Sequence, residues 1–143
     1  MIITPISPHS LSARPIVINN YHNIEITFNE KYPVINVVAD GQKKIETTYK
    51  DRKRDGLETS WHDNGQKREE GTYKDDEQDG LFTSWYENGQ KSYEGTYKDG
   101  KKDGLWTYWY KNGQEELEDP YKDGKIDGLW TYWYENGQKS LEV

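Results

Sequence analysis

Asp103-Gly104-Leu105-Trp106-Thr107-Tyr108-Trp109-Tyr110-Lys111-Asn112-Gly113-Gln114 is the stretch that decides the fold. Its opening triplet recurs as Asp55-Gly56-Leu57, Asp79-Gly80-Leu81 and Asp127-Gly128-Leu129. Its closing triplet recurs as Asn64-Gly65-Gln66, Asn88-Gly89-Gln90 and Asn136-Gly137-Gln138, and successive copies are 24 residues apart. One tryptophan sits between the two blocks of each copy: Trp61, Trp85, Trp109 and Trp133. A fixed period of this length describes an array of one supersecondary unit, each copy burying its neighbour's apolar surface. Arrays present long surfaces more often than they build reaction pockets, so the period turns the functional expectation toward binding.

Within a unit, Leu105 to Tyr110 is strongly β-prone. Lys111-Asn112-Gly113 signals a tight turn, Gln114 to Lys122 a returning strand, and Asp123-Gly124-Lys125 the next turn. The recurrent glycines leave no room for helix. The expectation is an all-β protein: an elongated array of antiparallel β-hairpins, two strands per unit. Units start near 55, 79, 103 and 127, after a degenerate unit over 32–54. Asp40-Gly41-Gln42-Lys43 aligns with Asn64-Gly65-Gln66-Lys67 and carries that last assignment. Residues 1–31 read as a separate segment that caps the array or binds a partner. Pro5, Pro8 and Pro15 make its start an extended arm, and 16–18 and 24–28 read as short strands.

The four copies divide into two side-chain phases. Leu57, Thr59 and Trp61 repeat unchanged as Leu81-Thr83-Trp85, Leu105-Thr107-Trp109 and Leu129-Thr131-Trp133. Tyr49, Tyr73, Tyr97 and Tyr121 are equally constant. A three-residue turn places Leu117 opposite Thr107 and unites Leu105, Trp109, Leu117 and Tyr121 on one side. The expected core is therefore Leu57, Trp61, Leu81, Trp85, Leu105, Trp109, Leu129 and Trp133, with Tyr73, Tyr97 and Tyr121. Gly71 and Gly95 fall on that face, where a tryptophan ring could lie over the backbone. The opposite phase drifts from Glu58-Ser60-His62 to Phe82-Ser84-Tyr86, Trp106-Tyr108-Tyr110 and Trp130-Tyr132-Tyr134. Left outside, Trp106, Tyr108, Tyr110, Trp130, Tyr132 and Tyr134, with Phe82 and Tyr86, form an aromatic partner-binding patch. The alternative is that the arm, sheet curvature or a second copy covers it.

Composition agrees with an array. The 143 residues suit one domain, and 6 Trp, 12 Tyr and 2 Phe supply a thin aromatic core despite a hydrophobic fraction of 31%. There is no cysteine, hence no disulfide. The first residues lack a signal-peptide pattern, and no run reaches the ~18 apolar residues of a membrane span. The expected location is the cytoplasm. The net charge is -7, and residues 1–48 carry four acids and four bases, so the repeats hold all of the excess. That balance argues against nucleic acid and suits a basic protein.

No reaction chemistry stands out. His62 aligns with Tyr86, Tyr110 and Tyr134 and reads as a surface variant. Asp75-Asp76-Glu77-Gln78-Asp79-Gly80 imitates the start of a calcium loop, but Tyr86 stands where the final acid belongs. The expectation is no enzyme, no cofactor and no metal. Glu46, Glu70, Glu94, Glu118 and Glu142 form a row, read as a solvated strand face with Lys or Thr partners.

The unit from Asp103 to Gln114, followed by Glu118 and Tyr121-Lys122-Asp123-Gly124, resembles the MORN-repeat variant of bacterial proteins, over roughly residues 40–143, and in particular the YwqK-family antitoxins. The resemblance implies a β-hairpin array and an antitoxin or immunity role, in which a toxin, a basic one on charge grounds, is neutralised by direct binding. Two alternatives come from the residues. Exposed Trp and Tyr would stack on sugars in a cell-wall or carbohydrate-binding module. An open sheet edge near Ser140-Leu141-Glu142-Val143 would make a self-associating scaffold or homo-oligomer.

Overall fold

A computed structural model describes residues 16–17, 23–28, 33–39 and 41–142. The elements are β1 (Ile16–Val17), β2 (Asn23–Phe28), β3 (Pro33–Ala39), β4 (Gln42–Lys50), β5 (Lys53–Trp61), β6 (Lys67–Lys74) and β7 (Glu77–Trp85). They continue with β8 (Lys91–Lys98), β9 (Lys101–Trp109), β10 (Glu115–Lys122), β11 (Lys125–Ile126), β12 (Thr131–Trp133) and β13 (Lys139–Glu142). All belong to one antiparallel sheet in which strand order follows chain order, with β11 and β12 both pairing β10. The all-β hairpin array stands as expected from the period. The N-terminal arm up to residue 15 lies outside the described residues.

The Asn-Gly turns explain why that dipeptide never changes. Tyr110 N–H donates to the Gln114 carbonyl at 2.9 Å, closing a three-residue loop in which Gly113 takes a φ of 84°. The Asn112 side-chain oxygen accepts from Gln114 N–H at 2.9 Å. Its amide nitrogen reaches the next turn, donating to the Glu135 carbonyl at 3.0 Å. Asn64 and Asn88 donate likewise to the Glu87 and Lys111 carbonyls, at 2.6 and 2.8 Å. An aspartate would keep the first bond and lose the second, because it has no donor.

Beyond the turn, the register departs from expectation. The loop has three residues, yet Leu117 pairs with Tyr108, not Thr107. A bulge between Glu115 and Leu117 supplies the extra residue, Glu116, and switches the side chains that follow to the other face. The same break recurs at Trp61 and Trp85. Leu117 and Tyr121 therefore share a face with Trp106 and Tyr108, not with Leu105 and Trp109.

This exchanges the roles of the two phases. Trp106 is 1% exposed and Phe82 is 9% exposed, and they are the buried hydrophobic side chains among the described residues. Leu57, Leu81, Leu105 and Leu129, expected in the core, are 46% to 67% exposed. Trp61, Trp85, Trp109 and Trp133 are only half-buried. Tyr73, Tyr97 and Tyr121 are half-buried on the Trp106 side. The close approach of a ring to glycine is present, but on that side as well. A Cβ on Gly95 would lie 2.2 Å from Trp106 Cδ2, and one on Gly71 2.6 Å from Phe82 Cδ2.

The leucines are exposed for a local reason. Between β4 and β5 the pairing jumps from Tyr49–Arg54 to Thr47–Glu58, passing over Asp55, Gly56 and Leu57. The Asp-Gly-Leu block is thus a bulge, and Gly56 and Gly80 adopt φ of 123° and 114° to make it. In the last unit the strand breaks into β11 and β12. Pro120, standing where the other units have Thr48, Thr72 and Thr96, has no N–H to donate to the ladder.

Candidate functional site

One face of the sheet carries an unbroken row of directly paired residues: Asn36, Glu46, Thr59, Glu70, Thr83, Glu94, Thr107, Glu118, Thr131 and Glu142. Glu46, Glu70, Glu94 and Glu118 each lie between hydroxyl or amide neighbours. Thr59 and Thr83 hydroxyls donate to Glu70 and Glu94 at 3.2 and 3.0 Å, and both threonines are buried. Lysines complete the pattern. Lys43, Lys67 and Lys91 pair with Glu46, Glu70 and Glu94 at 2.6, 2.5 and 2.6 Å. The same three ammonium groups lie 5.3, 5.7 and 5.5 Å from the ring centres of Trp61, Trp85 and Trp109. Each lysine is thus held by a carboxylate and a tryptophan face together. The Lys or Thr partners expected from the sequence are present at Glu46, Glu70 and Glu94, while the row is less solvated than expected, because Thr59 and Thr83 are buried.

Leu57, Leu81 and Leu105 flank this lattice on the same face. The surface is therefore an alternation of aliphatic knobs, half-open indoles and paired charges. It is apolar enough to bury and polar enough to orient a partner.

The other face holds Phe82, Trp106 and Tyr108 of the aromatic residues expected as an outer patch, and they pack into a cluster with Tyr93, Tyr97 and Tyr121. Trp106 meets Tyr97 edge-on at 4.9 Å between ring centres and stacks on Tyr93 at 6.1 Å. Phe82 stacks on Tyr93 at 5.9 Å. Lys102 Nζ sits 4.1 Å from the Trp106 ring centre and 2.7 Å from the Tyr108 hydroxyl. Phe82 and Trp106 are thus too buried to anchor a partner. Tyr86, Tyr108, Tyr110, Trp130 and Tyr132 are half-buried, and Tyr134 is 54% exposed. Several of these tie units together. The Tyr86 hydroxyl donates to the Trp109 carbonyl at 2.7 Å, the Tyr110 hydroxyl lies 2.9 Å from the Trp133 carbonyl, and His62 Nε2 is 2.8 Å from the Trp85 carbonyl. His62, read from the sequence as a surface variant, is with Tyr86 and Tyr110 one of a row of inter-unit staples. On this face Glu58, Ser60, Glu69, Tyr73, Phe82 and Tyr93 help line a cavity of about 320 Å³.

Ionisation follows packing. Burial pushes the hydroxyls of Tyr73, Tyr93, Tyr97, Tyr108 and Tyr121 above the usual tyrosine value, and neighbouring Glu58, Glu69 and Asp119 add to it. Tyr110 is raised chiefly by its hydrogen bond with Tyr132. These groups ionise more readily unfolded than folded, so their contribution to stability is complete below about pH 10 and is lost as pH rises through the folded values. Urea unfolding at stepped pH should show stability falling steeply above about pH 10. A flat profile to pH 12 would contradict the packing of this cluster. Glu94 and Glu118, equivalent in the row, differ. Burial raises both, but Lys91 and Thr83 hydrogen bonds hold Glu94 below the usual value. Glu118 stays above it, with Glu115 adding to the burial effect and Lys139 opposing.

No helix among the described residues is long and apolar enough to cross a membrane. Residues 1–54 match the ATP-NAD kinase C-terminal domain. The NAD kinase of Wolinella succinogenes is 41% identical over 54 residues, which is 38% of this chain and 18% of that protein. The chain thus spans under a fifth of this relative's length. Among solved structures, a chain of the GtfA/B complex bound to UDP and GlcNAc aligns with 94% of this chain and 27% of its own, at 15% identity and a TM-score of 0.33. A chain of the accessory secretory protein 1, 2 and 3 structure from Streptococcus pneumoniae aligns with 83% and 22%, at 16% identity and a TM-score of 0.28. Both scores are too low to argue a shared fold. The MORN repeat variant matches four times, over residues 54–75, 78–99, 102–123 and 126–143, and these segments cover more than half of the chain. Each match spans one hairpin of the array and its turns, and on them the chain belongs to the MORN repeat variant family.

Proposed function

We propose that the array is a non-catalytic protein-binding module that works through the leucine and tryptophan face. The observation that carries this reading is that Leu57, Leu81, Leu105 and Leu129 repeat without change and yet remain largely in solvent. Packing among the described residues leaves them exposed, so a surface function accounts for their uniformity. The net charge of -7 favours a basic partner. In its finer form the partner is a toxin, neutralised by occlusion. That form rests on the resemblance to YwqK-family antitoxins.

The match over residues 1–54 favours a second reading of the same surface. There the array brings a partner to a segment related to NAD kinase, and toxin neutralisation plays no part. One set of experiments separates the two. Leu81→Glu with Leu105→Glu should abolish retention of the partner while leaving the circular dichroism spectrum unchanged. Retention that survives the double substitution removes this face from consideration. Co-expression with each neighbouring reading frame tests the toxin form. If none arrests growth alone and is relieved by this chain, the toxin form falls and the binding reading remains.

A further inference from the structure

The lysine lattice has one deliberate-looking break. The residue after each Asn-Gly-Gln turn is Lys67, Lys91, Glu115 and Lys139, and Lys43 precedes them after the Asp40 turn. In the regular units this lysine stands opposite one tryptophan and reaches over the next. Lys67 pairs across from Trp61 and covers Trp85, and Lys91 pairs across from Trp85 and covers Trp109. The residue paired across from Trp109, which would carry the ammonium over Trp133, is Glu115. A carboxylate has replaced the cation, and the row glutamate beside it, Glu118, stays while its intra-unit lysine is gone. What remains is a cleft of about 240 Å³ lined by Trp109, Gly113, Gln114, Glu115, Trp133 and Gly137.

We propose that the cleft between Trp109 and Trp133 receives a lysine side chain from a basic partner protein, seating its ammonium where the sister units hold their own lysine. The chain itself supplies the template. Three times over, an ammonium lies between a row glutamate and an indole face. At the fourth place the indoles and the glutamate are kept, a second carboxylate is added, and the ammonium is left for the partner to bring. The Glu115 carboxylate at the cleft, with Glu118 beside it in the row and the indole faces of Trp109 and Trp133, favours a cation over any neutral group. Lys139, paired across from Trp133, opposes the raising of Glu118. A second copy of this chain is a poor donor, because two chains of charge -7 repel.

The proposal rests on the protein-binding reading and names what that surface recognises. Its test is a titration of the full chain with tetralysine at low salt, following the indole N–H resonances by nitrogen–proton correlation. Wild type should show saturable shifts at Trp109 and Trp133. E115K restores the sister residue and should weaken them by about tenfold, while raising the thermal midpoint. K91E opens an equivalent cleft one unit earlier and should add shifts at Trp85. Wild type and E115K titrating alike, or shifts spread evenly over the acidic turns, overturns the proposal. Shifts at Trp109 and Trp133 that grow with protein concentration alone, and vanish in E115K, would reassign the cleft to a second copy and also overturn it. Loss of partner retention in the leucine variants, alongside a negative tetralysine result, sinks the lysine site and leaves the binding reading standing.

Discussion

Replacing Trp106 with alanine should destabilise the array by about 3–5 kcal/mol. Trp106 is the most buried large side chain among the described residues, at 1% exposure. Its ring meets Tyr97 and Tyr121 edge-on and Tyr93 face-on, and Lys102 lies over it. The indole N–H donates to the Thr96 carbonyl at 3.2 Å. Alanine would remove all of these at once. Among the described residues the sheet has no second layer to close over the gap, so relaxation recovers little. Array stability is a sum of nearest-neighbour terms, and the damage should therefore centre on β8 to β10. Hydrogen exchange should show amides there losing protection before those of β5 and β6. A change under about 1 kcal/mol in urea unfolding would mean that the ring is not the keystone its burial suggests.

Gly95→Ala should cost about 1–3 kcal/mol or more, although it adds one methyl group. Its φ is not the obstacle, since Gly95 lies outside the positive region that Gly56 and Gly80 occupy. The obstacle is the indole. A Cβ there would come within 2.2, 2.3 and 2.5 Å of Trp106 Cδ2, Cε2 and Cγ. The ring must move, and Tyr93 and Tyr97 hold it from both sides. The two substitutions share one cause, so they should not add. In a Trp106→Ala background, Gly95→Ala should be close to neutral, because the methyl group then partly fills the space of the ring. Additive losses across that double-mutant cycle would separate the glycine from the tryptophan and defeat this account of the core.

The architecture was legible because it depends on period and turn chemistry. Asn112-Gly113 and its copies dictate hairpins whatever lies between them. The identity of the buried face was not legible from constancy. Leu57, Leu81, Leu105 and Leu129 are constant and yet exposed, whereas Phe82 and Trp106 differ and are buried. A single extra residue, Glu116, decides the question, and a bulge of one residue leaves no mark in a hydrophobic pattern. One signal was available. Gly71 and Gly95 stand directly across from Phe82, so glycine opposite a large ring marked the packed side. A second was the odd Gln114-Glu115 among repeated Gln-Lys pairs. It carries the proposed lysine cleft, yet it looks like ordinary drift until the lysines are seen over their tryptophans.

Every strand from β4 to β9 bonds only to strands adjacent in sequence. A cut from one Asp-Gly turn to its counterpart would remove two whole strands and rejoin edges that already match. Nothing must be re-routed. Each unit gained or lost would move the two ends of the sheet by roughly 9–10 Å, twice the inter-strand spacing. Chain length therefore behaves as a ruler graduated in hairpins. What stands before the sheet can be set at a chosen distance from the cleft near its far end by copying a unit.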